Sequence, residues 1–476
     1  MIASPILAIF VPQAADHVVP EVSVGITLFF TGILVALIVS LALEEKLRAK
    51  KSLIVGLYAI VTLLLGAILL PLPYSPYLIG GHELSMPVYI PAIDWGVITI
   101  IFGASLFVDV TSRSGLFTWI AIRLTKASGG DPVRLLWLYS VMTVVFSAVL
   151  NNVTAMIIVG SLTAVSLNKL ERNDKLLGFL LVEGLLTNVG GLLTLISSVP
   201  NIIVGTAANI SFMAFFYRAG LFVLVATIAT ILLGAKLFDI VGLRDEDART
   251  EAQSLVVSFD ENDGIESQGF FWFASAMLVL FIVAIATTSV MPYVSDLGMG
   301  FVAMAFAAVM LIKYKGEVDQ FYRGVDWDLL GFFAALFVVI NVMEHAQVLA
   351  LIGQGVERIV DLGPTLGTGA VMVATAAFSS VTDNIPLAAM LAKIIAGMPL
   401  ADGMVRPPSD PLWWAVIFGA NLGGNITPIG SASTLVAVTI IHKHGLRLSF
   451  GGFVRKALPF ALMQIAIAVL YLLWVL

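Results

Sequence analysis

The sequence predicts an all-α polytopic membrane protein, with about ten transmembrane helices and two re-entrant hairpins arranged as two inverted repeats with broken helices. Three observations carry this expectation. Hydrophobic residues make up 59% of the chain against 12% charged, and the mean hydropathy is +1.02. Many apolar stretches reach the roughly 18 residues or more that a bilayer demands of a helix. Two patches rich in Asp, Asn, Ser, Thr, Gly and Pro interrupt this apolar background, FSSVTDNIPLAAM from Phe378 and FGANLGGNITPIGSASTL ending at Leu435. Backbone at membrane depth leaves the helix only where it is buried in protein or lines a cavity.

The third observation is a duplication. FSAVLNNVTAM (146–156) lies over FSSVTDNIPLA (378–388) at an offset of 232, so that Phe146, Ser147, Val149 and Asn152 recur as Phe378, Ser379, Val381 and Asn384. TNVGGLLTLISSVPN (187–201) lies over ANLGGNITPIGSAST (420–434) at an offset of 233. There Asn188, Gly190, Gly191, Thr194, Ile196 and Ser198 recur as Asn421, Gly423, Gly424, Thr427, Ile429 and Ser431. Asp94-Trp95 and Asp326-Trp327 match at the first offset.

Taken in order, full spans are expected near 22–43, 52–72, 93–112, 176–208, 212–236, 270–290, 298–313, 327–345, 411–441 and 457–476. Between the third and fourth, and between the eighth and ninth, lie paired arms, 135–150 with 155–167 and 365–381 with 385–398. Arms this short are marginal for a ~30 Å hydrocarbon core, and read as hairpins tipped by Asn151-Asn152 and Asp383-Asn384. The division is then an N-terminal extracytoplasmic segment (1–21), a first inverted repeat (22–236), a cytoplasmic linker (237–269) and a second inverted repeat (270–476). The first segment has a short apolar run but no Lys or Arg before it, so a leading tail competes with a cleaved signal peptide. The linker carries DEDARTE and DENDGIE and reads as solvated, which leaves the formal net charge of -6 uninformative about partners.

Lys and Arg in the loops set the orientation. With EEKLRAKK (44–51) placed in the cytoplasm, the inner segments 44–51, 113–134, 169–175, 236–249, 313–323 and 443–456 hold 4, 4, 3, 3, 3 and 4 basic residues. That is 21 of 25, leaving Arg218, Arg358, Lys393 and Arg406 outside. The two hairpins then enter from opposite sides, and both termini are extracytoplasmic in a multi-pass cell membrane protein. Charge does not separate a hairpin from two full spans, since both return to the same side.

The pieces S-x-x-x-D-N-I-P (Ser379 to Pro386), N-L-G-G-N-I-T-P-I-G (Asn421 to Gly430) and P-N-I-I-V-G (Pro200 to Gly205) resemble an ion transporter superfamily. It holds arsenite permeases (ArsB), NhaD-type sodium/proton antiporters, the P protein and the divalent-anion/sodium symporters, with citrate transporter-like members. The resemblance covers about 94–476 and is nearest in flavour to the ArsB and P-protein branch. It implies two scaffold units, two transport units and an elevator-like movement. That branch commonly has Asp-Asn at the first tip, where this chain has Asn151-Asn152. It commonly has Gly-Asp-Pro-Pro-Asn in the first broken helix, where this chain has Ser197-Ser198-Val199-Pro200-Asn201.

Inverted repeats with discontinuous helices place a transporter's substrate near the midplane. Half-helix N-termini suit an anion, while unwound carbonyls with Asn, Ser and Thr oxygens suit sodium. The candidate substrate or ion residues are Asn151, Asn152, Asn188, Thr194, Ser198 and Asn201 in the first half. Those in the second are Asp383, Asn384, Asn421, Asn425, Thr427 and Ser431. Asn152, Asn188, Thr194 and Ser198 are expected to form one cluster and Asn384, Asn421, Thr427 and Ser431 its mirror. Sodium is placed at Asn152, Asn188, Asn384 and Asn421. The competing reading is that these residues satisfy one another across tightly packed helices.

Asp109, Glu183 and Asp383 are the coupling candidates, because a carboxyl at membrane depth is expensive and marks function by default. Asp383 also reads as a helix cap, Asp94 and Asp326 read as caps of equivalent spans, and Glu344-His345 follow a span end. Asp109 is read as deep in its span. The expected function is an ion-coupled secondary transporter for a small inorganic ion or small anion. Sodium/proton antiport, arsenite-type export, a sodium-coupled dicarboxylate symporter and, from another class, a channel stay open. No ATP-binding GxxxxGK[ST] loop occurs and there are no cysteines. The chain is therefore expected to be no enzyme and to need no cofactor beyond sodium or a proton. It is expected to associate with lipid and a second copy of itself, and to bind no nucleic acid.

Overall fold

The computed structural model describes residues 22–70, 77–79, 82–84, 86–398, 400 and 404–476. The segment expected at 1–21 lies outside the described residues. In chain order the helices are α1 Val24–Ala42, α2 Glu44–Leu47, α3 Lys51–Leu69, α4 Trp95–Ser112, α5 Leu116–Ser128, α6 Pro132–Val149 and α7 Asn152–Lys169. There follow α8 Leu176–Gly191, α9 Val199–Ala207, α10 Phe212–Leu237, α11 Glu246–Val257, α12 Gln268–Thr287, α13 Val294–Lys313 and α14 Val318–Gly324. The last are α15 Trp327–His345, α16 Val348–Val360, α17 Pro364–Ser379, α18 Asn384–Gly397, α19 Pro411–Gly423, α20 Ala432–Lys443 and α21 Phe450–Trp474. One small antiparallel pair, Tyr77–Ile79 with His82–Leu84, interrupts the helical pattern. Among the described residues, nine helices are long and apolar enough to cross a membrane.

The chain divides into two compact units. One holds the described residues up to 95 together with 328–352, with α1, α3 and α15 as its long helices. Within it the Ser52 hydroxyl donates to the Asp328 carboxylate, and Gly331 lets α15 approach the Ser52 side chain. The other unit holds 96–327 and 353–476 and contains both hairpins and both broken helices.

Inside this second unit the duplication is visible as repeated packing. The hairpin arm α6 lies along α8, and α17 lies along α19. The returning arms also reach the other repeat, α7 packing on α20 as well as on α8 and α18 on α9 as well as on α19. Both broken helices open in the same way. Helix α8 stops at Gly191 and resumes at Val199, with Pro200 in the first turn, where a missing N–H costs nothing. Helix α19 stops at Gly423 and resumes at Ala432. Glycine is required on the hairpin-facing side. A Cβ on Gly190 would stand 2.7 Å from Val144 Cα, and one on Gly423 would press into the Ala376 carbonyl oxygen. Small residues let membrane helices meet backbone to backbone. Gly423→Ala is therefore expected to destabilise the protein by about 1–3 kcal/mol, the usual cost of overpacking. Thermal unfolding in detergent reads this, and an unchanged melting temperature would contradict the close approach.

Several expectations are corrected. The first hairpin's arms are 18 residues each, not 13 to 17, while the second's are 16 and 14. Asp131 starts α6 early, its Oδ1 accepting from the Arg134 N–H at 3.0 Å ahead of Pro132. Eighteen residues rise about 27 Å, so length alone does not make this a hairpin. Its tip does, because the Ala148 carbonyl accepts from Thr194 in the middle of the broken helix.

The acidic linker is not simply solvated. Helix α11 buries Ala252 and Val256, one turn apart, and Gly130 closes on Ala252. Glu261 pairs with Arg123 at 2.7 Å, and Lys169 lies over the Phe259 ring. Its acidic residues face outward, which hid the narrow apolar stripe. Helices α5 and α16 were not anticipated either, yet they too match at the offset of 232. In α13, Gly298 at φ 74° is non-helical and separates a short piece beginning at Val294 from the main span, which starts where the sequence places it.

Candidate functional site

Each hairpin tip is tied to its own broken helix by two hydroxyls. Ser147 donates to the Thr187 carbonyl at 2.6 Å and Thr194 to the Ala148 carbonyl at 2.5 Å. In the second half, Ser379 donates to the Ala420 carbonyl at 2.6 Å and Thr427 to the Ser380 carbonyl at 2.5 Å. Breaking a helix exposes carbonyls that must find donors. Asn201 Nδ2 supplies them at 2.7 Å to Gly191 O and 3.0 Å to Thr194 O. Its repeat counterpart Thr434 donates to Ser431 O at 2.7 Å and sits 3.3 Å from Pro428 O. Thr194 and Thr427 thus brace the breaks instead of presenting free oxygens.

The polar clusters are exchanged between the halves, which corrects the grouping expected from sequence. Ser198, at the start of α9, donates to Asn421 Oδ1 of α19 at 2.7 Å. Ser431, at the start of α20, donates to Asn188 Oδ1 of α8 at 3.0 Å. The four residues are two equivalent pairs, each joining one repeat's half-helix N-terminus to the other repeat's asparagine. Around Asn421, Nδ2 donates to Asn201 Oδ1 at 2.9 Å and to Ile417 O at 2.8 Å. Around Asn188, Oδ1 also accepts from Asn152 at 3.2 Å and Ser433 at 3.2 Å, and Nδ2 donates to Asn425 at 2.8 Å. Asn188, Asn421, Asn201 and Asn425 are fully buried or nearly so.

The Asn188 side runs further. Asn425 Nδ2 donates to Gln464 Oε1 at 2.7 Å, and Gln464 Nε2 donates to Thr230 at 2.9 Å. Sequence reasoning missed Gln464, Thr230 and Ser433. The signal was a lone Gln inside the last apolar span and a second Ser after the break.

The tips cap their helices. Asn151 Oδ1 accepts from the Thr154 N–H at 2.8 Å, and Asp383 Oδ1 from the Ile385 N–H at 3.0 Å. Asn152 joins the Asn188 cluster, whereas its counterpart Asn384 is half-buried and not hydrogen-bonded to Asn421. The two sides are therefore not equivalent, and the proposed sodium quartet does not form one cluster. Asp109 is not deep: it stands near the C-terminal end of α4, half-exposed and 3.3 Å from Arg113, which also reaches Gln320 at 3.2 Å. Glu183, in the middle of α8, is fully buried. Its Oε1 accepts from Thr163 at 2.7 Å and its Oε2 has no hydrogen-bond partner. Among the described residues, no group of three or more His, Cys, Asp or Glu could hold a metal ion.

A family model described as CitMHS, citrate transporter, matches residues 52–419. The chain belongs to that family. Among its relatives is an uncharacterized transporter of Mycobacterium tuberculosis, 30% identical over 388 residues that cover 80% of this chain and 86% of the relative. The human P protein is 24% identical over 467 residues, covering 83% of this chain and 55% of that protein. Two solved structures share the architecture at 15% identity. The Alcanivorax borkumensis YdaH transporter has a TM-score of 0.58, covering 90% of this chain and 98% of that one. Neisseria gonorrhoeae MtrF, described within a class of antimetabolite efflux pumps, has a TM-score of 0.56, covering 90% and 95%. These two likenesses concern the fold alone. The CitMHS chain is a multi-pass membrane transporter, and its two crossed Ser–Asn pairs lie within the matched region or just beyond its C-terminal edge.

Proposed function

We propose that this CitMHS-family chain is an ion-coupled secondary transporter that carries a small anion together with a cation or proton through the crossed centre of its two broken helices. The observation that carries the reading is the reciprocal pairing of Ser198 with Asn421 and Ser431 with Asn188. It brings the N-termini of α7 and α20 to Asn188, and the N-terminus of α9, with α18 packed on that helix, to Asn421. Helix N-termini favour negative charge. The lining itself is amide and hydroxyl, so full negative charge on a citrate-type or arsenite-type substrate calls for a co-carried cation or proton. Sodium/proton antiport is the second reading, favoured by the unpaired Glu183 oxygen. In either case hairpins and broken helices would move as one transport unit in an elevator-like cycle, with a homodimer holding the scaffold and both termini outside.

The test is reconstitution into vesicles with labelled citrate, arsenite or sodium, under imposed sodium and pH gradients. Concentrative flux of citrate or arsenite that ceases when the gradient is collapsed is the expected result. Flux at channel rates, indifferent to any second gradient, would overturn it.

A further inference from the structure

We propose that Glu183 is an internal proton site of this transporter, holding a proton while α7, α8 and α20 are closed around it and releasing it to water when they part. The inference rests on the transport reading above. Glu183 is 0% exposed, half-way along α8 and five residues before Asn188. One carboxyl oxygen has a single donor, Thr163 at 2.7 Å, and the other has none. A buried carboxylate with one hydrogen bond and no cation is among the costliest groups a membrane protein can keep. An apolar residue of similar volume would be the cheaper filler.

The surroundings support a closed, dry compartment. Gly184, the next residue, meets Ala437 of α20, a Cβ there standing 2.7 Å from the Ala437 methyl. Gly160 of α7 is pressed equally closely by Ile440 of α20 and Met156. Helices of both repeats therefore seal the carboxyl, and only their separation would admit water. The titratable group in electrostatic range is Tyr139 of α6, whose hydroxyl is 2.7 Å from both Ser166 and Thr125.

Other charged groups on the packed elements stand within two turns of a helix end. They are Arg134 of α6, Lys169 of α7, Asp174 and Lys175 of the turn before α8, Arg218 and Lys236 of α10, His442 and Lys443 of α20, and Arg455 and Lys456 of α21; α19 carries none. Among the described residues none forms an ion pair with Glu183. In the release step the acid O–H bond breaks, its electron pair stays on the carboxylate, and the proton passes to water. The reverse step reloads the site, so no further reactant is needed.

The experiment is infrared difference spectroscopy of wild-type and Glu183→Gln protein in lipid vesicles across a pH series, with pH-gradient-driven citrate and arsenite flux measured on the same samples. The expected result is a neutral-acid carbonyl band that Glu183→Gln removes, that disappears at high pH, and that Thr163→Val displaces along the pH axis. Loss of the pH-gradient response in Glu183→Gln, with exchange of citrate or arsenite at equal pH retained, completes it. Absence of the band at neutral pH overturns the proposal. So does a band bleached by sodium at constant pH, which replaces the proton with a cation. Unchanged pH dependence of flux in Glu183→Gln also overturns it. Should Glu183→Gln fail to insert, the displacement by Thr163→Val decides. Wild-type protein that moves neither probe counts against the transport reading, and a titrating band lost in Glu183→Gln would still uphold the proton site.

Discussion

Asn188→Ala should abolish gradient-driven flux and lower stability by about 2–4 kcal/mol. The side chain accepts from Asn152, Ser431 and Ser433 and donates to Asn425. Alanine removes all four bonds, and since the Ser431 and Ser433 hydroxyls lie 2.8 Å apart and can pair, it strands two donors and one acceptor in a buried space. A stranded buried polar group costs about 1–3 kcal/mol, but hydrogen bonds inside membrane proteins average only about 0.6 kcal/mol when measured pairwise. The four losses therefore fall well short of their nominal sum. Asn421→Ala makes the comparison. It strands Ser198 and Asn201 but also frees Ile417 O of its own helix, a helical carbonyl that the backbone already serves. Its loss of flux should match, with a smaller loss of stability. Melting in detergent and vesicle flux separate the two effects. Wild-type flux in both variants would remove the crossing from the transport path.

The membrane class, the spans and the duplicated hairpin and broken-helix grammar were legible because each rests on local pattern. Twenty apolar residues cannot hide, and Asn-x-Gly-Gly recurs within one residue of the offset that relates the hairpins. What was not legible is pairing across more than two hundred residues. Ser198 and Ser431 occupy equivalent positions in sequence, and nothing in either segment says that each binds the other repeat's asparagine. Gln464 was invisible for a related reason, since one amide in an apolar span has meaning only once Asn425 and Thr230 are seen beside it. Asp109 misled in the other direction. Its apolar neighbours SLFV suggested depth, whereas Arg113 and the helix end one turn later hold it at the edge.

Asp383→Asn should leave the fold intact and remove coupled transport. Asp383 Oδ1 caps α18 by accepting from the Ile385 N–H at 3.0 Å. Asparagine caps about as well as aspartate, and Asn151 already does so at the matching tip, accepting from Thr154 at 2.8 Å. The change in stability should therefore stay within about 0.5 kcal/mol. What asparagine cannot do is carry a negative charge to a cation or accept a proton. Asn151 caps the N–H three residues on and Asp383 the one two residues on, yet an amide oxygen accepts either, so the cap alone does not demand an aspartate. If it serves coupling, Asp383→Asn protein should melt like wild type, yet lose concentrative flux of citrate or arsenite under a sodium or pH gradient. Glu183→Gln is expected to lose the pH-gradient response and spare the sodium response, so the sodium response separates the two carboxyls. Asp383→Asn transporting at the wild-type rate with both gradient responses intact would leave Asp383 as a cap and nothing more.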